Sequence, residues 1–110
     1  MRKLAQFIKI LGDANRLAII KDIGWGSRSV SEIISATGLS QTLVSFHLRT
    51  LRDAEIVSTR RDGPFIYYSL TDQRLMDILG DLAQLAGLET DFSNDKFIPI
   101  SSKVMPAKQR

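Results

Sequence analysis

The spacing of apolar residues predicts two helices within the first 23 positions of the chain. In the first, apolar side chains recur every three or four residues until Gly12 ends the segment. Asp13 follows directly and is the expected N-cap of the second helix. The inner faces carry Leu4, Phe7, Ile8 and Leu11 in the first helix and Leu17, Ile20 and Ile23 in the second.

Two further short helices are expected after a turn at Gly24-Trp25-Gly26. Ser29 or Ser31 caps the third helix, and Thr37-Gly38 ends it. Ser40 caps the fourth, which is expected to run to residue 54. Two short helices joined by a tight turn that contains glycine are typical of a helix-turn-helix. The inward stripe of the fourth helix carries Val44, Leu48 and Leu51.

A hairpin and a fifth helix follow. The β-favouring runs IVSTRR and PFIYYSL flank Asp62-Gly63 and predict two antiparallel strands. Pro64 cannot donate to a strand ladder, so the hairpin tip is expected to be an exposed loop. The fifth helix is expected to start at Thr71 and Asp72. Its apolar stripe carries Leu75, Ile78 or Leu79, Leu82, and Leu85 or Ala86.

The order of these elements predicts the fold class: mainly α with a β-hairpin wing, a winged helix-turn-helix of five helices. The apolar stripes of the first and last helices exceed what a chain of this size buries by itself. We therefore expect a dimer that pairs through these two helices. The predicted dimerisation residues are Leu4, Ile8, Leu11, Leu75, Leu79, Leu82 and Ala86.

Composition excludes several kinds of site. The 110 residues include no cysteine and one histidine, which rules out disulfides, thiolate metal sites and metal sites built on several imidazoles. No Ser–His–Asp or Cys–His set and no phosphate-binding glycine loop is present, so we expect no enzyme activity and no cofactor. No apolar run approaches the roughly 18 residues of a membrane span, and the charged N-terminal segment does not match a signal peptide. A cytoplasmic protein without a membrane partner is expected.

The net charge of +3 conceals a polarised chain. Residues 1–61 carry a net charge of +5, residues 62–95 carry −6, and residues 96–110 carry +4. One part of the fold can therefore attract a polyanion while another repels it.

With its apolar stripe turned inward, the fourth helix presents short hydrogen-bonding side chains, one guanidinium and one aromatic ring. Such a face suits the major groove of DNA, where Arg binds guanine, Gln or Ser meets base edges, and a ring contacts a thymine methyl. Phe46 could instead pack on the hairpin or on another subunit. His47, at the edge of the inward stripe, is either a packing residue or a donor to phosphate. The candidate DNA-binding residues of this helix are Ser40, Gln41, Thr42, Ser45, Phe46, His47 and Arg49.

The hairpin supplies a second candidate contact. Arg60 and Arg61 precede its tip, where long basic side chains can reach phosphates or an adjacent minor groove. Without a helix-turn-helix upstream they would be ordinary solvated arginines. We therefore assign residues 1–87 to a DNA-binding and dimerisation domain and residues 88–110 to a C-terminal tail, either an arm or a disordered segment.

Two stretches, LGDANRLAIIKDI and SVSEIISATGLSQTLVSFHLRTLRDAEIVSTRRDGPFIYYSL, resemble the ArsR/SmtB family of bacterial and archaeal transcriptional repressors. The resemblance covers about residues 4–86. It implies a homodimer that is paired through the first and last helices and bound to an imperfect palindrome of double-stranded DNA in its own operon's promoter. It also implies release by an effector. Its specific elements are Leu11, Asp13, Arg16, Leu17, Ile19 and Ile20, then Ser40-Gln41 and Ser45-Phe46-His47-Leu48, then Leu51, Arg60-Arg61-Asp62-Gly63 and Tyr67-Tyr68-Ser69-Leu70.

The chain departs from the family pattern at the sensing positions. Members that sense metals commonly place cysteines on the third helix or near the N-terminus, and this chain has none. Another family site uses a carboxylate with His or Glu partners on the last helices. Asp72 matches that carboxylate, but the other positions hold Arg74, Leu85 and Leu88, and one carboxylate cannot hold a transition metal. No metal site is expected, and the effector stays unknown.

Two functions from different classes remain open. The first is a dimeric, sequence-specific DNA-binding regulator that represses its own operon. The second is a winged-helix protein-interaction module that contacts a partner through Phe46 and the wing without reading bases. Arg49, Arg60 and Arg61 favour DNA.

Overall fold

The computed structural model describes residues 1–88, and within that range it has five helices and one three-stranded antiparallel sheet. The predicted winged helix-turn-helix is confirmed. Of the tail predicted over residues 88–110, all but Leu88 lies outside the described residues. The helices are α1 (Arg2–Leu11), α2 (Ala14–Ile23), α3 (Val30–Thr37), α4 (Gln41–Asp53) and α5 (Arg74–Leu85), and the strands are β1 (Ser27–Ser29), β2 (Val57–Asp62) and β3 (Phe65–Leu70).

Side-chain caps define where α2, α3 and α4 begin. The Asp13 carboxylate accepts hydrogen bonds from the backbone N–H groups of the first turn of α2, as its position predicts. Ser29, not Ser31, caps α3, and it forms a reciprocal capping box with Glu32. The Ser40 hydroxyl accepts from the backbone of the first turn of α4. Gly38 adopts a left-handed conformation (φ 74°), which turns the chain sharply between α3 and α4.

The hydrophobic core lies where α2 is enclosed by α3, α4 and the sheet. Ile19, Ile20 and Ile23 are all buried in α2, whereas Leu17 packs only at the edge of the core. The helical periodicity predicts one inner face for α2, and that face does not include Ile19. Because α2 is covered on several sides, a single amphipathic stripe underestimates what it buries.

The sheet has one strand that the sequence did not predict. β1 contains only Ser27, Arg28 and Ser29, and it pairs with β3, so the strand order is β1-β3-β2. Its sequence lacks the β-branched and aromatic residues by which strands are recognised, and tertiary pairing alone places it there.

Two element boundaries also differ from prediction. Asp62 pairs with Phe65, so the two turn residues are Gly63 and Pro64 rather than Asp62 and Gly63. Gly63 has φ +63°, which a hairpin turn with glycine first requires. The helix α5 begins at Arg74 rather than at Thr71 and Asp72, and the Asp72 carboxylate accepts the backbone N–H of Arg74 (3.0 Å).

The end of α4 is closed by a Schellman motif with a non-glycine residue in the left-handed position. Glu55 has φ 62°, the only positive φ of a non-glycine residue within 1–88. Its backbone N–H donates to the carbonyl of Arg52 (2.9 Å), and that of Ile56 donates to the carbonyl of Leu51 (2.9 Å). Leu51 and Ile56 are both buried, which supplies the apolar contact of this motif.

We expect the substitution Glu55→Gly to raise the free energy of unfolding by about 0.5–1 kcal/mol. It removes the roughly 1–2 kcal/mol cost of a left-handed L residue, offset by roughly 0.5–1 kcal/mol of extra chain entropy that glycine loses. Urea denaturation followed by circular dichroism at one protein concentration measures the change. Glu55→Ala is the matched control, because it shortens the side chain but keeps the strain. An equal gain in both variants would assign the effect to the side chain.

Candidate nucleic-acid interface

The outer face of α4 is open to solvent. Phe46 is 58% exposed, and Ser40, Gln41, Thr42, Ser45 and Arg49 are also exposed. The opposite stripe of Val44, Leu48 and Leu51 is fully buried. The predicted orientation of the helix is thus confirmed, and Phe46 does not pack on the hairpin. Burying one stripe leaves the hydrogen-bonding face free to meet a groove.

His47 requires a correction. Its side chain is 4% exposed, so its ring is not available to a DNA phosphate. The Nδ1 atom lies 3.2 Å from Nη1 of Arg16, and the ring packs edge-on against Phe46 at 5.3 Å between centroids. Of the two roles left open by the sequence, the structure favours packing, and we remove His47 from the candidate DNA contacts.

Arg16 is a residue to which the sequence analysis gave no role, although it belongs to the pattern that carries the family resemblance. Its guanidinium also donates from Nε to the backbone carbonyl of Ile10, at 2.6 Å. One side chain of α2 therefore contacts both the last turn of α1 and the middle of α4. Helical periodicity in the sequence does not indicate which distant residues an arginine side chain will contact.

The two wing arginines lie on opposite faces of the β2–β3 hairpin. Arg60 pairs with Tyr67 across the strands, sits 5.1 Å from its ring centroid, and lies 3.9 Å from the Asp62 carboxylate. Arg61 is opposite Ile66, on the face that continues from the core. Both arginines are exposed. The contact with Tyr67 restricts the Arg60 side chain. Because successive strand residues point to opposite faces, the two cations approach any ligand from different sides of the wing.

An apolar groove of about 430 Å³ lies between α1 and α5. Of the predicted dimerisation residues, Leu4, Ile8, Leu82 and Ala86 are exposed. The other three, Leu11, Leu75 and Leu79, are largely buried in the core of the single chain. Leu11 and Leu75 still form part of the groove wall. A helix with two buried sides carries apolar residues on both, and sequence alone does not separate them.

Asp72, which matches the carboxylate of the family's metal site, forms an ion pair with an arginine. Asp72 and Arg74 form a close ion pair with Oδ2 and Nη2 at 2.6 Å, and this bonding lowers the pKa of Asp72 to about 2. Asp13 also has a lowered pKa, chiefly because its carboxylate accepts the backbone N–H of Arg16.

Within residues 1–88, no group of three or more His, Cys, Asp or Glu side chains could hold a metal ion, and no helix is long and apolar enough to cross a membrane.

Comparison with known proteins agrees with this architecture. The family described as bacterial regulatory protein, arsR family, matches residues 13–59, which contain both helices of the helix-turn-helix and the start of the wing. The nodulation protein NolR of Rhizobium meliloti is 36% identical over 92 residues, which cover 84% of this chain and 75% of NolR. The arsenical resistance operon repressor of Staphylococcus aureus is 33% identical over 81 residues, 74% of this chain and 78% of that protein.

A solved structure shares this fold over most of its length. The homodimeric winged helix-turn-helix DNA-binding domain of a possible ArsR-family transcriptional regulator from Mycobacterium bovis superposes with a TM-score of 0.66 at 30% identity, covering 78% of this chain and 79% of that one. The likeness extends in sequence and in fold over most of both chains. The chain therefore belongs to the arsR family of bacterial regulatory proteins.

Proposed function

We propose that this chain is a cytoplasmic transcriptional repressor that binds double-stranded DNA as a homodimer, with α4 as its recognition helix. Each protomer inserts the outer face of α4 into the major groove and lays the wing along the neighbouring backbone. The repressor acts on its own operon, and an effector releases it. It is not an enzyme, as its family membership indicates.

The exposed face of α4 carries this proposal. Gln41, Thr42 and Ser45 offer hydrogen bonds, and Arg49 offers a fork of donors that matches guanine. No ion pair or hydrogen bond holds the Arg49 guanidinium among residues 1–88, so it is free to reach a base. The first turn of α4, capped by Ser40, is the part of a recognition helix that enters a groove deepest.

The groove between α1 and α5 supports the dimer. Ile8 is 56% exposed and Leu82 is 52% exposed, and both line the same apolar groove. The similar domain from Mycobacterium bovis is homodimeric. A two-fold axis through this face presents two recognition helices about 34 Å apart, one turn of DNA, which selects an imperfect palindrome as operator.

A protein-interaction module is the second candidate, and exposed apolar residues on α4 and on the wing favour it. Leu43 and Phe46 on α4 and Phe65 and Ile66 on the wing are all partly or largely exposed. These exposed side chains could contact an apolar surface of a partner protein. Fluorescence anisotropy of the chain on promoter DNA at two salt concentrations separates the two, because a DNA-binding regulator binds the duplex with an affinity that falls as salt rises, whereas the interaction module does not bind it.

We expect Arg49→Ala to weaken binding to the operator about 5- to 150-fold, because a bidentate contact with guanine is worth roughly 1–3 kcal/mol. Binding to random duplex DNA changes little. Arg52→Ala is the matched control, since Arg52 is exposed on the flank of the last turn of the same helix. Anisotropy titrations on both duplexes measure the effect. Equal loss on all sequences would make Arg49 a phosphate contact only.

We expect Arg60→Ala and Arg61→Ala to weaken binding to operator and random DNA alike. Each change lowers the slope of log affinity against log salt by about 1, the contribution of one phosphate contact. Titrations at several salt concentrations give the slope. A variant whose slope equals that of the wild type carries an arginine that does not contact phosphate.

We expect Ile8→Glu to convert the dimer to a monomer of 12.3 kDa. A carboxylate placed in the apolar groove raises the dimer dissociation constant on the order of 100-fold or more, because burying an unpaired charge costs several kcal/mol. Sedimentation equilibrium measures the mass. Gln6→Glu adds the same charge to α1 outside the groove lining and leaves the dimer intact. A dimer that survives Ile8→Glu would place the interface elsewhere.

A further inference from the structure

Arg16 connects the dimerisation helix to the recognition helix. Its Nε donates to the carbonyl of Ile10 at 2.6 Å, and its Nη1 lies 3.2 Å from Nδ1 of His47. Ile10 stands in the last turn of α1, and His47 stands at the middle of α4. The side chain itself belongs to α2, so three helices meet at one guanidinium.

Each of the two contacts has a physical reason to persist. The last four carbonyls of a helix lack partners within it and carry partial negative charge, so a cation at Ile10 is favourable. Arginine has no acceptor, so in this contact the guanidinium donates and Nδ1 of His47 accepts. Because His47 is 4% exposed, loss of this bond would leave a buried ring nitrogen without a partner.

The link ends next to the DNA-facing surface. The ring of His47 packs edge-on against Phe46, whose side chain is 58% exposed on the outer face of α4. At the other end, the same turn of α1 contributes Leu11 to the wall of the groove between α1 and α5. A change in the angle between α1 and α4 would therefore alter how the second protomer's recognition helix is spaced from the first.

We propose that Arg16 is a positioning residue: it fixes α4 relative to α1 and so sets the spacing of the two recognition helices on the operator. This inference rests on the proposed function. Arg16 does not contact a base, and its effect on DNA passes through His47 and Ile10. A lysine at this position keeps the charge, but its single ammonium nitrogen does not reproduce the fork that reaches both acceptors.

The test compares Arg16→Lys with Arg28→Lys. Arg28 also makes a two-atom contact, with Asp22 on α2 (both distances 3.2 Å), and these bonds involve neither α1 nor α4. The probes are a duplex selected by the wild-type chain from random-sequence DNA and a scrambled duplex of the same composition. Anisotropy gives both affinities and their salt slopes, sedimentation gives the dimer, and circular dichroism gives the melting temperature.

We expect Arg16→Lys to weaken binding to the selected duplex about tenfold, within the range of coupling between contacting residues, while scrambled-duplex affinity, salt slope and dimer mass stay within twofold of wild type. Arg28→Lys leaves the ratio of the two affinities unchanged. As a second variant, His47→Gln keeps an acceptor and retains the ratio better than His47→Leu.

An unchanged ratio in Arg16→Lys overturns the inference alone, and so does an equal fall in Arg28→Lys, which would mark a general loss of stability. A wild-type chain that selects no sequence overturns the proposed function and this inference with it.

Discussion

The burial of one stripe of α4 is the constraint on which the rest of the structure depends. Val44, Leu48 and Leu51 are enclosed by α2 and α3, and this packing fixes the rotation of the helix about its own axis. Once this rotation is fixed, the direction in which every other side chain of α4 points is fixed as well. The exposed polar face is thus a consequence of core packing, because a rotation by one residue would bury polar groups and expose leucine.

Much of this arrangement follows from the sequence because the decisive signals are local. Asp13, Ser29 and Ser40 are caps whose side chains bond to their own first turn, and the stripe of α4 repeats at helical spacing. Such interactions span three or four residues and depend on little else. The caps and the inward face of α4 could therefore be predicted.

The features that the sequence did not yield depend on distant partners. The strand β1 exists because β3 lies beside it, and its own residues have no strand preference. His47 is separated from Arg16 by 31 positions, so no local pattern indicates that its ring is held from α2. Likewise, Leu75 and Leu79 belong to the stripe of α5, but only the folded chain shows that they are buried within one protomer while Leu82 is exposed.

The closed end of α4 has a mechanical consequence. Three residues, Ala54, Glu55 and Ile56, connect the helix to β2, and each donates its backbone N–H to a carbonyl of the last turns of α4. All three residues of the connection are therefore hydrogen-bonded to the helix. These bonds fix the orientation of the wing relative to α4 when the chain folds. A ligand that contacts both α4 and the wing does not have to order them, so little conformational entropy is lost on binding. Glu55, in the left-handed conformation, makes the turn at this connection.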